Sequence, residues 1–149
     1  MNEPPRVAGV KILRLPAFAD LRGSISAVDF ASDLPFEPRR AFWVYDVPTK
    51  QVRGERAHRT LSQVLVCLAG ECSVLVDDGE ARGEYRLSDP RTGILVPPLV
   101  WSVQYKFLAG TVLLVLASAP YDAAGYIRDY EEFIELRRAA GTSSARAEA

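Results

Sequence analysis

The chain is written in short apolar runs, and nearly every run is closed by a turn signal. Such runs are too short for core helices and are bounded as strands are. They predict an all-β sandwich or barrel. Val10–Leu15 and Ser24–Phe30 are the early strands, separated by the turn Asp20-Leu21-Arg22-Gly23. Arg40–Val47 (RAFWVYDV) mixes aromatic and β-branched residues, the side chains that suit a pleated, half-buried surface. Its side chains alternate between two faces, so either Phe42 and Val44 or Trp43 and Tyr45 point inward. Gln63–Leu68 and Ser73–Val76 flank a bend at Ala69-Gly70, and Asp77-Asp78-Gly79 is a hairpin signal. Glu84–Leu87 and Gly93–Val96 follow, the latter stopped by Pro97-Pro98, which cannot continue a central strand. Val100–Phe107 and Thr111–Ala117 are parted by Ala109-Gly110.

The period changes after Pro120. Ile127, Tyr130, Phe133 and Ile134 recur at helical spacing, which predicts one short C-terminal helix over Ile127–Arg138, ended by Gly141. The closing TSSARAEA is small and polar. The expected organisation is one domain over residues 1–138 and a disordered tail over 139–149.

Composition narrows the class of function. The chain has 149 residues, 48% hydrophobic and 25% charged, the balance of a folded globular domain. Lys and Arg total 18 against 19 Asp and Glu, a net charge of -1, which disfavours a generic nucleic-acid binder. No apolar stretch approaches the ~20 residues of a membrane-spanning helix. The opening MNEPPRV carries an acid and two prolines and has no apolar core, so no secretory signal is expected and the expected location is cytoplasmic. Cys67 and Cys72 are too few for a disulfide framework and read as small buried hydrophobes.

Histidine is the scarcest useful residue, because His58 stands alone. Arg56, His58, Gln63 and Gly70 repeat the spacing of the first motif of cupin barrels, in which two histidines, a glutamate and a glycine fall at those steps. Residues two apart in a strand share a face, so Arg56 and His58 are expected to point into the barrel together. Arg56 is a permanent cation and Gln63 a neutral amide, and neither suits a transition metal. Ser102, after Pro97-Pro98-Leu99-Val100-Trp101, stands where the second cupin motif has its histidine. One ligand of four survives, so no metal is expected. A barrel mouth lined by Arg, His, Gln and Trp suits a small ligand with a phosphate, since guanidinium groups grip phosphate with paired hydrogen bonds.

Several motifs in order and spacing resemble one family. They are Asp20-Leu21-Arg22-Gly23-Ser24, Leu34-Pro35-Phe36, Arg40-Ala41-Phe42-Trp43, Arg53-Gly54-Glu55-Arg56-Ala57-His58, Gln63–Leu68, Asp77-Asp78-Gly79, Pro97–Trp101 and Tyr126-Ile127-Arg128-Asp129-Tyr130. Together they resemble the dTDP-4-keto-6-deoxyhexose 3,4-ketoisomerases, small cupins of deoxysugar biosynthesis, over roughly residues 10–135. The resemblance implies a jelly-roll barrel, a homodimer, no metal or other cofactor, and a dTDP-linked 4-keto-6-deoxy sugar as substrate. In that family a base removes the proton beside the carbonyl, an enediol forms, and a proton returns at the old carbonyl carbon. Histidine suits such transfers near neutral pH.

The chain departs from the family at informative places. Arg56 replaces the first histidine of Arg-Gly-x-His-Ala-His, Phe42 replaces a tyrosine, and Ser102 stands where histidine or arginine is frequent. The proton shuttle is usually assigned to that histidine and that tyrosine. The expected catalytic pair here is therefore His58 as acid and base, with Arg56 stabilising the enolate. Arg22, Arg53, Gln63, Trp101 and Ser102 are the expected substrate-binding residues. For several there is a plainer reading: an exposed turn arginine at Arg22, a core aromatic at Trp101, a solvated or ion-paired strand residue at Arg56 with Glu55 and Glu71 as candidate partners. The rival function is a cupin that binds a nucleotide sugar without isomerising it.

Overall fold

The computed structural model describes residues 6–148, with side chains described through Gly141. Met1–Pro5, most of the opening MNEPPRV on which no secretory signal is expected, lie outside the described residues. The strands are β1 (Lys11–Arg14), β2 (Ala17–Asp20), β3 (Gly23–Ser26), β4 (Arg40–Tyr45), β5 (Arg53–His58) and β6 (Gln63–Ala69). They continue as β7 (Cys72–Asp77), β8 (Arg82–Leu87), β9 (Thr92–Val96), β10 (Trp101–Tyr105), β11 (Val112–Ala117) and β12 (Tyr126–Ile127), followed by helix α1 (Tyr130–Glu148). Two antiparallel five-stranded sheets form, in the orders β1-β9-β6-β11-β4 and β12-β5-β10-β7-β8, and β2-β3 make a separate hairpin. This is the expected jelly-roll barrel.

The core lies between the sheets, where Leu65, Cys67, Val74, Val76, Ile94 and Leu113 interdigitate. β6 is buried along both faces because a second cluster covers its outer side: Val64 and Val66 pack with Leu15 and Leu34. This explains why β6 reads as a continuous apolar run and not an alternating one. In β4 the pattern resolves the other way: Phe42 and Val44 pack against the core, while Trp43 and Tyr45 are exposed. Both cysteines are free and buried.

The helix departs from expectation at both ends. Ile127 belongs to β12, and α1 begins at Tyr130, with Asp129 Oδ1 accepting from the backbone amide of Glu131 at 2.8 Å. Asp129 is thus a capping residue, which a periodicity count overlooks. Gly141 falls inside α1, and the tail expected over 139–149 is helical as far as Glu148, Ala149 lying outside the described residues. One glycine costs a helix only about 1 kcal/mol, which the helix formers before it, Arg137 to Ala140, help to offset.

Candidate active site

The site grows from β5. Arg53 and Arg56 are three apart, which in a regular strand would send them to opposite faces. A β-bulge removes the conflict. Ser102 pairs with Arg56 and Val103 with Gly54, so Glu55 is the extra residue. Gly54 and Glu55 both adopt positive φ, at 86° and 51°. The bulge turns Arg53, Arg56 and His58 toward one cavity of about 380 Å³. A side chain at Gly54 would not fit: its Cβ would lie 2.7 Å from Gln104 Oε1 and 3.0 Å from the Ser102 carbonyl oxygen.

His58 is fixed from two sides. Its carbonyl accepts from the Leu99 amide at 2.8 Å, and Leu99 itself is held at φ 58°. The Leu99 carbonyl accepts from Arg137 Nη1 at 3.1 Å, so α1 braces the loop that braces His58. On the other side His58 faces Tyr126 of β12 in register, with the rings edge-to-face and centroids 4.7 Å apart. Burial, with the Arg56 and Arg40 charges beside it, pushes the imidazole down to about 4. At neutral pH the ring is therefore uncharged, and it binds a proton less readily than an ordinary imidazole. Its Nδ1 is buried without a hydrogen-bond partner.

The charge around it is one-sided. Arg40, Arg53 and Arg56 line the cavity, and no carboxylate does among the described residues. Arg56 Nε donates to the Gly54 carbonyl at 3.1 Å, and its guanidinium lies 5.0 Å from the Tyr126 ring centre. The carboxylates expected as alternative partners are elsewhere: Glu71 faces Arg86 at 3.6 Å, and Glu55 is exposed at the bulge. Such a pocket attracts a polyanion and stabilises negative charge that develops within it.

Of the residues expected to bind substrate, Arg53, Gln63 and Ser102 line this cavity with Arg56 and His58. Gln63 is buried at the start of β6, and Ser102 Oγ accepts from Gln104 Nε2 at 3.2 Å. Trp101 is elsewhere. It is buried on the far face of β10, its ring centre 5.7 Å from that of Phe133 of α1. Trp101 and Ser102 are consecutive in one strand, so they cannot face the same side. Arg22 also lies outside the cavity of its own chain. It caps the exposed β2-β3 hairpin, paired with Asp20 at 2.6 Å.

Three further lining residues carry chemistry: Arg40, Gln104 and Tyr126. Arg40 is sandwiched by aromatic rings, 4.6 Å from the Phe42 centre and 5.3 Å from that of Tyr121. Arg40 and Tyr126 both sit in motifs that carry the family resemblance, and that was the signal available for them. Gln104 could have been found by counting in twos from Ser102.

The model of the FdtA family (WxcM-like, C-terminal) matches residues 8–138. A TDP-4-oxo-6-deoxy-alpha-D-glucose-3,4-oxoisomerase from Aneurinibacillus thermoaerophilus is 39% identical over 123 residues, covering 83% of this chain and 88% of that protein. Among solved structures, a mutant of the 3,4-ketoisomerase QdtA from Thermoanaerobacterium thermosaccharolyticum, in complex with TDP-4-keto-6-deoxyglucose, superposes with a TM-score of 0.87. It is 32% identical and covers 89% of this chain and 96% of that one. The TDP-quinovose 3,4-ketoisomerase WlaRB from Campylobacter jejuni gives a TM-score of 0.83 at 38% identity, covering 87% and 99%. A barrel of this topology, with its cationic mouth and these relatives along nearly its full length, belongs to the FdtA family.

Proposed function

We propose that the chain is a nucleotide-sugar isomerase that converts a dTDP-linked 4-keto-6-deoxyhexose to its 3-keto isomer through an enediol. The observation that carries this reading is His58 set among three guanidinium groups in a cavity that no acid lines among the described residues. Arg53, with Gln63 and Ser102, binds the nucleotide sugar. Arg56 stabilises the enolate oxygen, and His58 takes the proton from carbon 3 and returns it at carbon 4. Trp101 has no part in this, since it packs under α1.

The reaction proposed needs no metal. Arg56 and Gln63 stand at cupin ligand positions, and a permanent cation beside His58 repels a divalent ion. Metal analysis of protein purified without chelator tests this, with substoichiometric metal expected. The proposed assembly is a homodimer. Phe18 and Ile25 are directly opposed across the β2-β3 hairpin, 66% and 63% exposed, and a two-stranded ribbon with a bare apolar pair needs a cover. A second copy that covers the hairpin would also bring Arg22 near a site. No helix among the described residues is long and apolar enough to cross a membrane. A cytoplasmic location is proposed from the two free, buried thiols, which suit a reducing compartment.

Proton NMR of dTDP-4-keto-6-deoxyglucose in deuterated buffer, with wild type and His58→Asn, tests the function. Exchange and a 3-keto product with wild type, both lost in His58→Asn, are expected. An inert wild type that still broadens the ligand resonances would overturn the isomerase reading and leave a nucleotide-sugar binder.

A further inference from the structure

A 3,4-ketoisomerisation moves two protons. One passes from carbon 3 to carbon 4, and the other passes from the oxygen on carbon 3 to the oxygen on carbon 4. His58 accounts for the carbon-bound proton. The cavity's cations do not account for the second, because Arg40, Arg53 and Arg56 donate hydrogen bonds but do not give up protons at neutral pH. Phe42 has no proton to give.

We propose that the Tyr126 hydroxyl carries the proton between the two sugar oxygens. This rests on the isomerase reading above. Three phenols border the cavity, and two of them, Tyr45 and Tyr121, are mostly exposed. Tyr126 is half-buried, in register opposite His58 and edge-on to its ring at 4.7 Å. A substrate carbon within reach of His58 therefore brings its oxygens toward the neighbouring phenol. Arg40 Nη1 donates to the Tyr126 hydroxyl at 3.5 Å. Guanidinium groups have no acceptor, so this contact occupies a lone pair and leaves the phenolic hydrogen free to point into the cavity. The contact is long for a hydrogen bond.

The steps balance. His58 takes the carbon 3 proton, and that electron pair becomes the carbon 3–carbon 4 double bond. The carbonyl π pair moves onto the carbon 4 oxygen, which takes the Tyr126 proton. The phenolate then takes the proton of the carbon 3 hydroxyl, whose electrons form the new carbonyl. The double-bond pair collects the proton from His58 at carbon 4. Both side chains return to their starting states, and no oxidant or co-reactant is needed.

Tyr126→Phe keeps the ring against His58 and removes only the hydroxyl, with its proton and its contact to Arg40. In deuterated buffer, recovered 4-keto substrate should still gain deuterium at carbon 3, since Arg56 still stabilises the enolate. Formation of the 3-keto sugar should fall roughly 100-fold. The ratio of carbon 3 exchange to product then rises about tenfold or more, a change that loss of packing would not produce, because packing loss lowers both together. Arg40→Met should shift the ratio in the same direction by less, and it carries the test if Tyr126→Phe melts early. An unchanged ratio in the folded variants, with an active wild type, overturns the role of Tyr126. An inert wild type overturns the isomerase reading instead.

Discussion

At the scale of single residues, His58 shows how burial and charge convert a common side chain into a specialised one. Desolvation and the cations Arg56 and Arg40 hold it uncharged, titrating at about 4. The unfolded chain binds that proton near the ordinary histidine value, while the folded chain binds it only much lower. Stability is therefore complete above about pH 6.5 and is lost as pH falls toward 4, because protons then favour the unfolded state. The loss from this group amounts to at most about 3 kcal/mol. Urea denaturation of wild type and His58→Asn between about pH 7 and pH 4 measures it. The carboxylates contribute to both proteins, so wild type should lose more stability than the variant. Equal losses would mean that His58 titrates normally. His58 and Arg56 were legible in the sequence because their spacing places both on one face of a strand. The guanidinium of Arg40 comes from a strand some distance along the chain, and its effect on His58 was not.

At the scale of elements, the β5 bulge is the decisive feature. Without it Arg53 would leave the cavity, since odd spacings in a strand cross the sheet. Gly54→Ala forces a methyl against Gln104 and the Ser102 carbonyl at a φ of 86°. The expected cost is about 1–3 kcal/mol in denaturant stability. The same variant should weaken TDP binding in calorimetry about tenfold or more as Arg53 turns away. Wild-type affinity in a folded Gly54→Ala protein would show that the bulge does not position Arg53. The Arg-Gly dipeptide was visible in the sequence, but the bulge was not, because a bulge is defined by what the partner strand does. Trp101 carries the same lesson. Period two alone says that Trp101 and Ser102 part company, but only α1 packed against β10 decides which of them is buried under the helix.

At the scale of the whole molecule, the β2-β3 hairpin stands apart from both five-stranded sheets. Among the described residues β2 and β3 pair only with each other, and every residue of both strands is exposed. If a second copy covers this ribbon, the double variant Phe18→Glu, Ile25→Glu should sediment as a monomer where wild type sediments as a dimer. Charges opposed in that interface cost several kcal/mol, enough to dissociate it at micromolar concentration. A dimer that persists in the variant would place the interface elsewhere, and a monomeric wild type would remove it.

The sequence by itself determined the class of fold, most of the strands and the absence of a cupin ligand set, because these depend on local period, turn chemistry and residue type. It also marked Arg53, Arg56, His58, Gln63 and Ser102, which lie on β5, on its neighbour β10 and on β6 of the facing sheet, at spacings that motifs record. Tertiary structure decided the rest: the inward face of β4, the retreat of Trp101 beneath α1, the exposed position of Arg22, and the meeting of Tyr126 with His58. Each of these depends on which surfaces remain to be covered once distant segments have packed, and no local pattern encodes that. The lowered affinity of His58 for protons has the same origin, since desolvation and charge act through space and not along the chain.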